Sequence, residues 1–153
     1  MKDKSRQARS RYLRPALPEE AGPLSRLAYR AKAGWGYEPA FMEACRDVLR
    51  FTEEDTASIV VEEEKGVLLG FGLYNKQEQE LTHLFVDPAF QGSGTGKRLF
   101  ETIVSSLAAG TVFQIKSDPG ACGFYERLGA VRTGSVFSEI DPDRQLPLLE
   151  YRR

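Results

Sequence analysis

Within residues 80–99, a β-branched and aromatic run over 81–86 stops at Asp87-Pro88, crosses Gln91-Gly92-Ser93-Gly94-Thr95-Gly96-Lys97, and enters a stretch with Gly96, Leu99, Phe100, Ile103 and Leu107 at helical spacing. A strand, a glycine loop and a helix in that order make an anion cradle. Successive glycines let the backbone approach a ligand, and the first amides of a helix are donors with partial positive charge, which suits a phosphate or diphosphate. Lys97 and Arg98 add charge beside the loop. Spacing narrows the ligand. A nucleotide-hydrolase loop needs a glycine where Gln91 stands and Ser or Thr where Arg98 stands. A dinucleotide fingerprint counted from Gly92 or Gly94 ends on Lys97 or Leu99 instead of glycine. A plain flexible linker is disfavoured, because the glycines alternate between a strong strand pattern and a strong helix pattern.

The rest of the chain frames this unit. Residues 12–17 read as a strand, and Pro18-Glu19-Glu20 suits a first helical turn. Ala21, Leu24, Leu27, Ala28 and Ala31 carry a helix that ends before Gly34, and Pro39 opens a second with Phe41, Cys45, Val48 and Leu49 on one face. Strands follow at 58–61, 67–74 and 81–86, then the helix after the loop, then a strand at 111–116. Asp118-Pro119 starts a helical unit with Ala121, Phe124, Tyr125 and Leu128, and strands at 130–137 and 146–151 close the chain. The order β-αα-βββ-α-β-α-ββ predicts an α+β fold, an α/β/α sandwich on a mixed, mostly antiparallel sheet of about seven strands.

Length favours one domain: 153 residues bury a single core and are too few for two. The expected division is a basic, disordered arm over 1–10 and a folded domain over 11–153. Lys plus Arg (21) nearly balance Asp plus Glu (22), so no overall field favours nucleic acid or an anionic membrane, and a small-molecule partner is expected. No apolar run approaches the roughly 18 residues of a membrane helix. Cys45 and Cys122 stand apart without paired spacing, which fits a reducing cytoplasm, and with one histidine they leave too few soft ligands for a zinc site, so no metal is expected.

The motif Gln91-x-x-Gly94-x-Gly96 resembles the Gln/Arg-x-x-Gly-x-Gly/Ala signature of the GNAT superfamily of N-acetyltransferases. A second stretch, Asp118-x-x-Ala121-x-x-Phe124-Tyr125-Glu126-x-x-Gly129, is similar to the same family's Asn-x-x-Ala-x-x-x-Tyr-x-x-x-Gly, with Asp118 in place of the commoner Asn. The element order also resembles that fold. The resemblance implies acetyl-coenzyme A as co-substrate and acetyl transfer to a primary amine by direct attack in a ternary complex. It implies cofactor contacts from Leu84, Phe85, Val86, Gln91, Gly92, Ser93, Gly94, Thr95, Gly96, Lys97, Asp118, Ala121 and Phe124. Backbone at 84–86 would donate to the developing oxyanion.

A lysine-like amine has a pKa near 10.4, and deprotonating it at pH 7 costs about 4–5 kcal/mol, so a base is needed. Glu80 is the candidate, at a spacing from Gly94 that resembles the base glutamate of histone-modifying members. Glu78 or an ordered water is an alternative, and Glu80 as the solvated end of a polar turn is the plain one. Tyr125 sits where the family places the proton donor for the departing sulfur, and aromatic packing is its competing role. His83 reads as a packed strand residue and Cys122 as packing.

Trp35 and Tyr37, flanked by Gly34 and Gly36, join the two early helices in a connector that borders the acceptor site in this superfamily. Together with Arg144 they are the acceptor candidates. Lys32-x-x-Trp35-Gly36-Tyr37 and Arg144-x-Leu146-Pro147 resemble a subfamily that carries both motifs. The acceptor class is a small-molecule or peptide amine. A non-catalytic acetyl-coenzyme A binding module and a structural partner protein are the rival readings, and a homodimer through the late strands is left open.

Overall fold

The computed structural model describes residues 10–153. The expectation of a disordered basic arm falls on residues that, apart from Ser10, lie outside those described. The elements are β1 (Arg11–Pro15), α1 (Ala21–Ala33), α2 (Pro39–Cys45), β2 (Ile59–Glu64), β3 (Val67–Asn75), β4 (Glu80–Val86), α3 (Thr95–Ser105), β5 (Val112–Lys116), α4 (Cys122–Arg127), β6 (Val131–Phe137) and β7 (Gln145–Arg152). Short 3-10 turns precede α1, β2 and α4 and follow β4. The seven strands form one mixed sheet, as the element order predicted, and their order across it is β1-β2-β3-β4-β5-β7-β6. The β4–β5 pair is parallel, and β1–β2, β2–β3, β5–β7 and β6–β7 are antiparallel.

The described chain divides into two compact units, residues 10–73 with His83–Ile103, and Tyr74–Thr82 with Val104–Arg153. In the first, α1 buries Leu24, Leu27, Ala28 and Ala31, the spacing that marked it as a helix. These join Ile59, Val61, Leu69, Phe71, Leu99 and Phe100 in a core of near-zero exposure, and each large side chain contributes about 1.5–3 kcal/mol. Glu20 prepares the entry to α1: its carboxylate accepts from Leu17 N–H (2.8 Å) and from both terminal nitrogens of Arg14 (2.8 Å each). In the second unit, Phe113 packs edge-on against Tyr74 (5.4 Å) and beside Tyr151 (5.4 Å), over Ile115 and Leu149.

Most boundaries fall within two residues of expectation, β1 for one ending at Pro15 instead of Leu17, and two depart further. The second helix ends at Cys45, not beyond Leu49: Arg46 N–H bonds Glu43 O at 3.2 Å, a tighter i−3 bond, and the chain continues as a turn. Leu49 is still buried, but Val48, expected on the same apolar face, is exposed. Strand β2 runs on to Glu64 instead of stopping at Val61. Its acids are paired across the ladder, Glu63 with Arg14 (3.0 Å) and Glu64 with Arg11 (3.0 Å), which lets a charged run continue as strand. A bulge at Glu62/Glu63 shifts the register there.

Strand β3 carries two glycines for steric reasons. A Cβ on Gly70 would lie 2.7 Å from Phe85 O, a backbone atom of β4, and 3.0 Å from the Thr95 methyl. A Cβ on Gly72 would meet chiefly the tips of Ile103 (2.6 Å) and Leu84 (3.2 Å), which can rotate. Gly70→Ala is therefore expected to cost about 2–3 kcal/mol, and Gly72→Ala about 1 kcal/mol. Urea unfolding of both variants checks that order; equal losses would contradict it.

Candidate functional site

The loop of the first unit is built from the end of β4 outward. Asp87 N–H donates to Leu69 O (2.8 Å), and its carboxylate accepts from Ala89 N–H (3.0 Å) and from Arg30 (2.8 Å). Burial alone would raise the Asp87 carboxyl, but those two donors outweigh it and hold it below the usual range. Pro88, Ala89 and Phe90 then form one 3-10 turn, and Gln91 donates from its amide to Val86 O (3.1 Å), tying the loop back to the strand.

Gly92 and Gly94 take positive φ, +78° and +85°, the left-handed region where side chains are strained. A Cβ on Gly92 would meet nothing within 4 Å, so the loop presents open backbone there. Arg98 N–H bonds Gly94 O (3.0 Å) as the chain enters α3, and the amides of 95–97 precede that first helical bond. The loop thus has the shape and the donors that an anion needs.

Its charge differs from the sequence reading. Arg98 was expected to add positive charge beside the loop, but its guanidinium grips Glu62 with two bonds of 2.7 and 2.8 Å. The same group donates to Ser93 O (3.1 Å), and Thr95 donates its hydroxyl to Glu62 (2.7 Å). Glu62 is fully buried, and burial pushes its carboxyl up; the hydrogen bonds from Arg98 and Thr95 outweigh that and leave it below the ordinary range. The Thr95 side chain is spent in this network and is not available to a ligand at the loop. Lys97 is exposed, 3.9 Å from Glu101. Sequence reasoning missed Glu62 because it heads a run of three glutamates, and alternation from Ile59 and Val61 would turn it outward; the bulge at Glu62/Glu63 breaks that alternation, and no local signal in the sequence marks it.

The second motif lies in the other unit. Asp118 O accepts from Ala121 N–H (2.9 Å), and its carboxylate accepts from Gly120 N–H (3.0 Å) and Arg144 (3.2 Å). A carboxylate at this position thus caps the turn through backbone amides, and Arg144, an acceptor candidate, is in contact with it. Tyr125 is buried, with Phe124 edge-on at 5.2 Å; burial first, and the Asp118 charge second, push its phenol well above its usual value. Ala121 and Phe124 are partly exposed. Cys122 is buried, its thiol 3.5 Å from Glu126 and pushed up by burial and that carboxylate. Glu80 opens β4 beside Lys116, 3.5 Å away, where the parallel pair Glu80↔Gln114 joins β4 to β5.

The aromatic connector follows α1 directly. Tyr37 packs against Phe41 with the rings tilted at 43° (4.8 Å), and the Lys32 ammonium sits over both rings at 5.3 and 5.7 Å. Trp35 is half exposed. A Cβ on Gly34 would touch Pro88 at 3.4 Å, so the connector lies close to the start of the loop. Leu84, Phe85 and Val86 are each partly exposed at the end of β4.

His83 packs edge-on against Phe51 (5.0 Å), and desolvation there, with the Lys32 charge, pulls its pKa down to about 4. The unfolded chain therefore binds the extra proton first, near pH 6.5. Stability is full above that value and is lost as pH falls through about 4, by on the order of 3 kcal/mol. Urea midpoints at pH 7.5 and 4.5 should differ less in His83→Leu than in the parent chain; an unchanged difference would rule this out.

A family model for the acetyltransferase (GNAT) domain matches residues 31–140. The chain belongs to that family. Solved structures with this GNAT fold include a GCN5-related N-acetyltransferase from Rhodopseudomonas palustris (18% identity, 93% of this chain and 95% of that one, TM-score 0.79). YjaB from Escherichia coli, solved in its apo form, is 23% identical over 92% of this chain and 95% of its own (TM-score 0.69). The PaiA N-acetyltransferase of Thermoplasma acidophilum, in complex with coenzyme A, is 14% identical over 94% and 99% (TM-score 0.74). No curated protein matches the sequence significantly. No helix among the described residues is long and apolar enough to cross a membrane.

Proposed function

We propose that this GNAT chain transfers an acetyl group from acetyl-coenzyme A to a primary amine of a small molecule or peptide. The observation that carries the reading is the loop over 91–97: open backbone at Gly92, positive φ at Gly92 and Gly94, and the free end of α3 behind them. A diphosphate matches those donors in charge and needs no side chain. The match to the acetyltransferase family and a relative solved with coenzyme A support the same ligand. When bound, the cofactor supplies a thioester already activated towards an amine.

The chain's own groups divide the remaining work. Backbone over 84–86 is assigned to the acetyl end, with Gln91 holding Val86 O in place from the side. Gly92, Ser93, Gly94, Thr95, Gly96 and Lys97 offer amides to the diphosphate. Asp118, with Ala121 and Phe124, shapes the turn that leads to Tyr125. The Tyr125 hydroxyl stays protonated at neutral pH, because its pKa is raised, and it is assigned as donor to the departing sulfur. Trp35, Tyr37 and Arg144 are assigned to the acceptor. Glu80 is assigned as base, directly or through a water.

One observation favours a rival, a module that binds acetyl-coenzyme A without turnover: Glu80 is engaged by Lys116, which competes with any substrate proton. Two measurements separate the readings. Calorimetry should detect coenzyme A binding that is lost in Gly94→Val, where a side chain at φ +85° also strikes Arg98. Thiol release should then appear with at least one amine in a panel of polyamines, aminoglycosides, amino acids and lysine peptides. Binding without release from any amine favours the module; no binding at all overturns both.

A further inference from the structure

The first unit also contains a cavity of about 330 Å³ lined by Ser25, Arg26, Tyr29, Arg30, Arg46, Leu49 and Arg50. Four guanidiniums come from two short stretches, Arg26 and Arg30 one turn apart on α1, Arg46 and Arg50 on the turn after α2. None belongs to the loop over 91–97 or to the second motif. We propose that this cavity is a binding site for a small polyanion, a ligand with at least two phosphate or carboxylate charges. The inference does not rest on the transferase reading.

The neighbouring charges leave these arginines available. Arg30 faces Asp87 (2.8 Å), Arg46 faces Glu43 (3.1 Å), and Arg50 faces Asp47 at 3.7 Å. All three arginine side chains are more than half exposed, at 52, 52 and 69%. The Arg46–Glu43 and Arg50–Asp47 pairs are exposed on both sides and hold by about 0–1 kcal/mol, so a ligand with several charges can displace them, whereas Asp87 is only 15% exposed and Arg30 is shared with it. Among the described residues Arg26 makes no ion pair. Each guanidinium has five donors in a flat fork that fits carboxylate or phosphate two bonds at a time, and one pairing leaves donors over.

The walls also orient the donors. Arg46 lies over the Tyr29 ring at 4.7 Å and donates to the Tyr29 hydroxyl at 3.5 Å. A guanidinium stacked on a ring keeps its in-plane N–H groups for a ligand at its edge. Leu49 is buried, and the Ser25 hydroxyl is committed, accepting from Phe51 N–H (2.8 Å) and donating to Ala21 O (2.7 Å). Selection therefore falls to the arginines. The volume lies at the low end for small-molecule sites and is too small for a folded partner. The chain's net charge of −1 gives no general pull on a polymeric anion. Arg30 is shared with Asp87, which fixes the turn into the glycine loop, so a ligand that takes Arg30 also acts on that turn.

The test is a titration of the full chain, labelled for amide NMR, with pyrophosphate and separately with tricarballylate, at constant ionic strength. Saturable shifts are expected at amides over 25–30 and 46–50 with at least one of the two, and the responsive anion identifies the charge type. In Arg26→Gln/Arg46→Gln the dissociation constant for that anion should rise at least tenfold. Shifts that follow sodium chloride alone, or that are confined to 91–97, overturn the proposal. So does unchanged affinity in a folded double variant; if that variant does not fold, the parent titration decides alone.

Discussion

Glu62→Gln is expected to lower the unfolding free energy by about 3–5 kcal/mol, the usual cost of removing one partner from a buried ion pair. Glu62 is fully buried and accepts two bonds from Arg98 and one from Thr95. Glutamine offers one acceptor oxygen and turns an amide donor towards a guanidinium, so donors face each other in a dry place. Arg98 is 38% exposed, which places the loss at the lower end of that range. Replacing both partners, Glu62→Leu with Arg98→Leu, should recover part of the loss, because no lone charge is then buried. Because the Glu62 carboxyl is held below its usual range, its contribution is present above the ordinary carboxylate range and disappears as pH falls through its lowered value. Urea unfolding at pH 7 and at pH 3 should therefore show the deficit of Glu62→Gln at the first and a smaller one at the second. A loss below about 1 kcal/mol at pH 7 would mean that the pair does not hold the loop.

If the chain works as the proposed acetyltransferase, Tyr125→Phe is expected to lower kcat roughly 100-fold with little change in the affinity for acetyl-coenzyme A, the effect of deleting one positioned proton donor. The ring would stay, because Tyr125 is buried and packs against Phe124. Only the hydroxyl is lost, so the unfolding free energy should fall by no more than the worth of one buried hydrogen bond, about 1 kcal/mol. A raised phenol pKa keeps the group protonated across the neutral range, so on the same reading the parent chain should show no loss of rate from Tyr125 ionisation up to pH 9. Full activity in the variant would return Tyr125 to a packing role and leave sulfur protonation to water.

The parts of the fold that were legible in the sequence are those written by neighbours along the chain. Asp87-Pro88 ends β4, the glycines open the loop, and α3 begins at Thr95, one residue before the expected start. Leu24, Leu27, Ala28 and Ala31 announced α1 by spacing alone. The parts that were not legible depend on partners distant in sequence. Arg98 read as loop charge because nothing local shows that Glu62, on another strand, claims it. Residues 62–64 were left out of the expected strand because the arginines that pair with Glu63 and Glu64, Arg14 and Arg11, lie on β1. The end of α2 escaped because Leu49 keeps the burial that helical spacing gives it while its backbone has already turned. The arginines of the cavity were passed over for the same reason: two pairs one helical turn apart look like solvated faces until folding brings them to one wall.

The bulge at Glu62/Glu63 sets a limit on how β2 can vary. In an extended strand, adding or removing one residue turns every later side chain to the opposite face. The bulge adjusts that count so that Glu62 points into the protein while Glu63 and Glu64 meet the arginines of β1. Changes of residue type at Glu63 or Glu64 leave this count intact. A single insertion or deletion there would not, so this stretch tolerates spelling changes far better than changes of length.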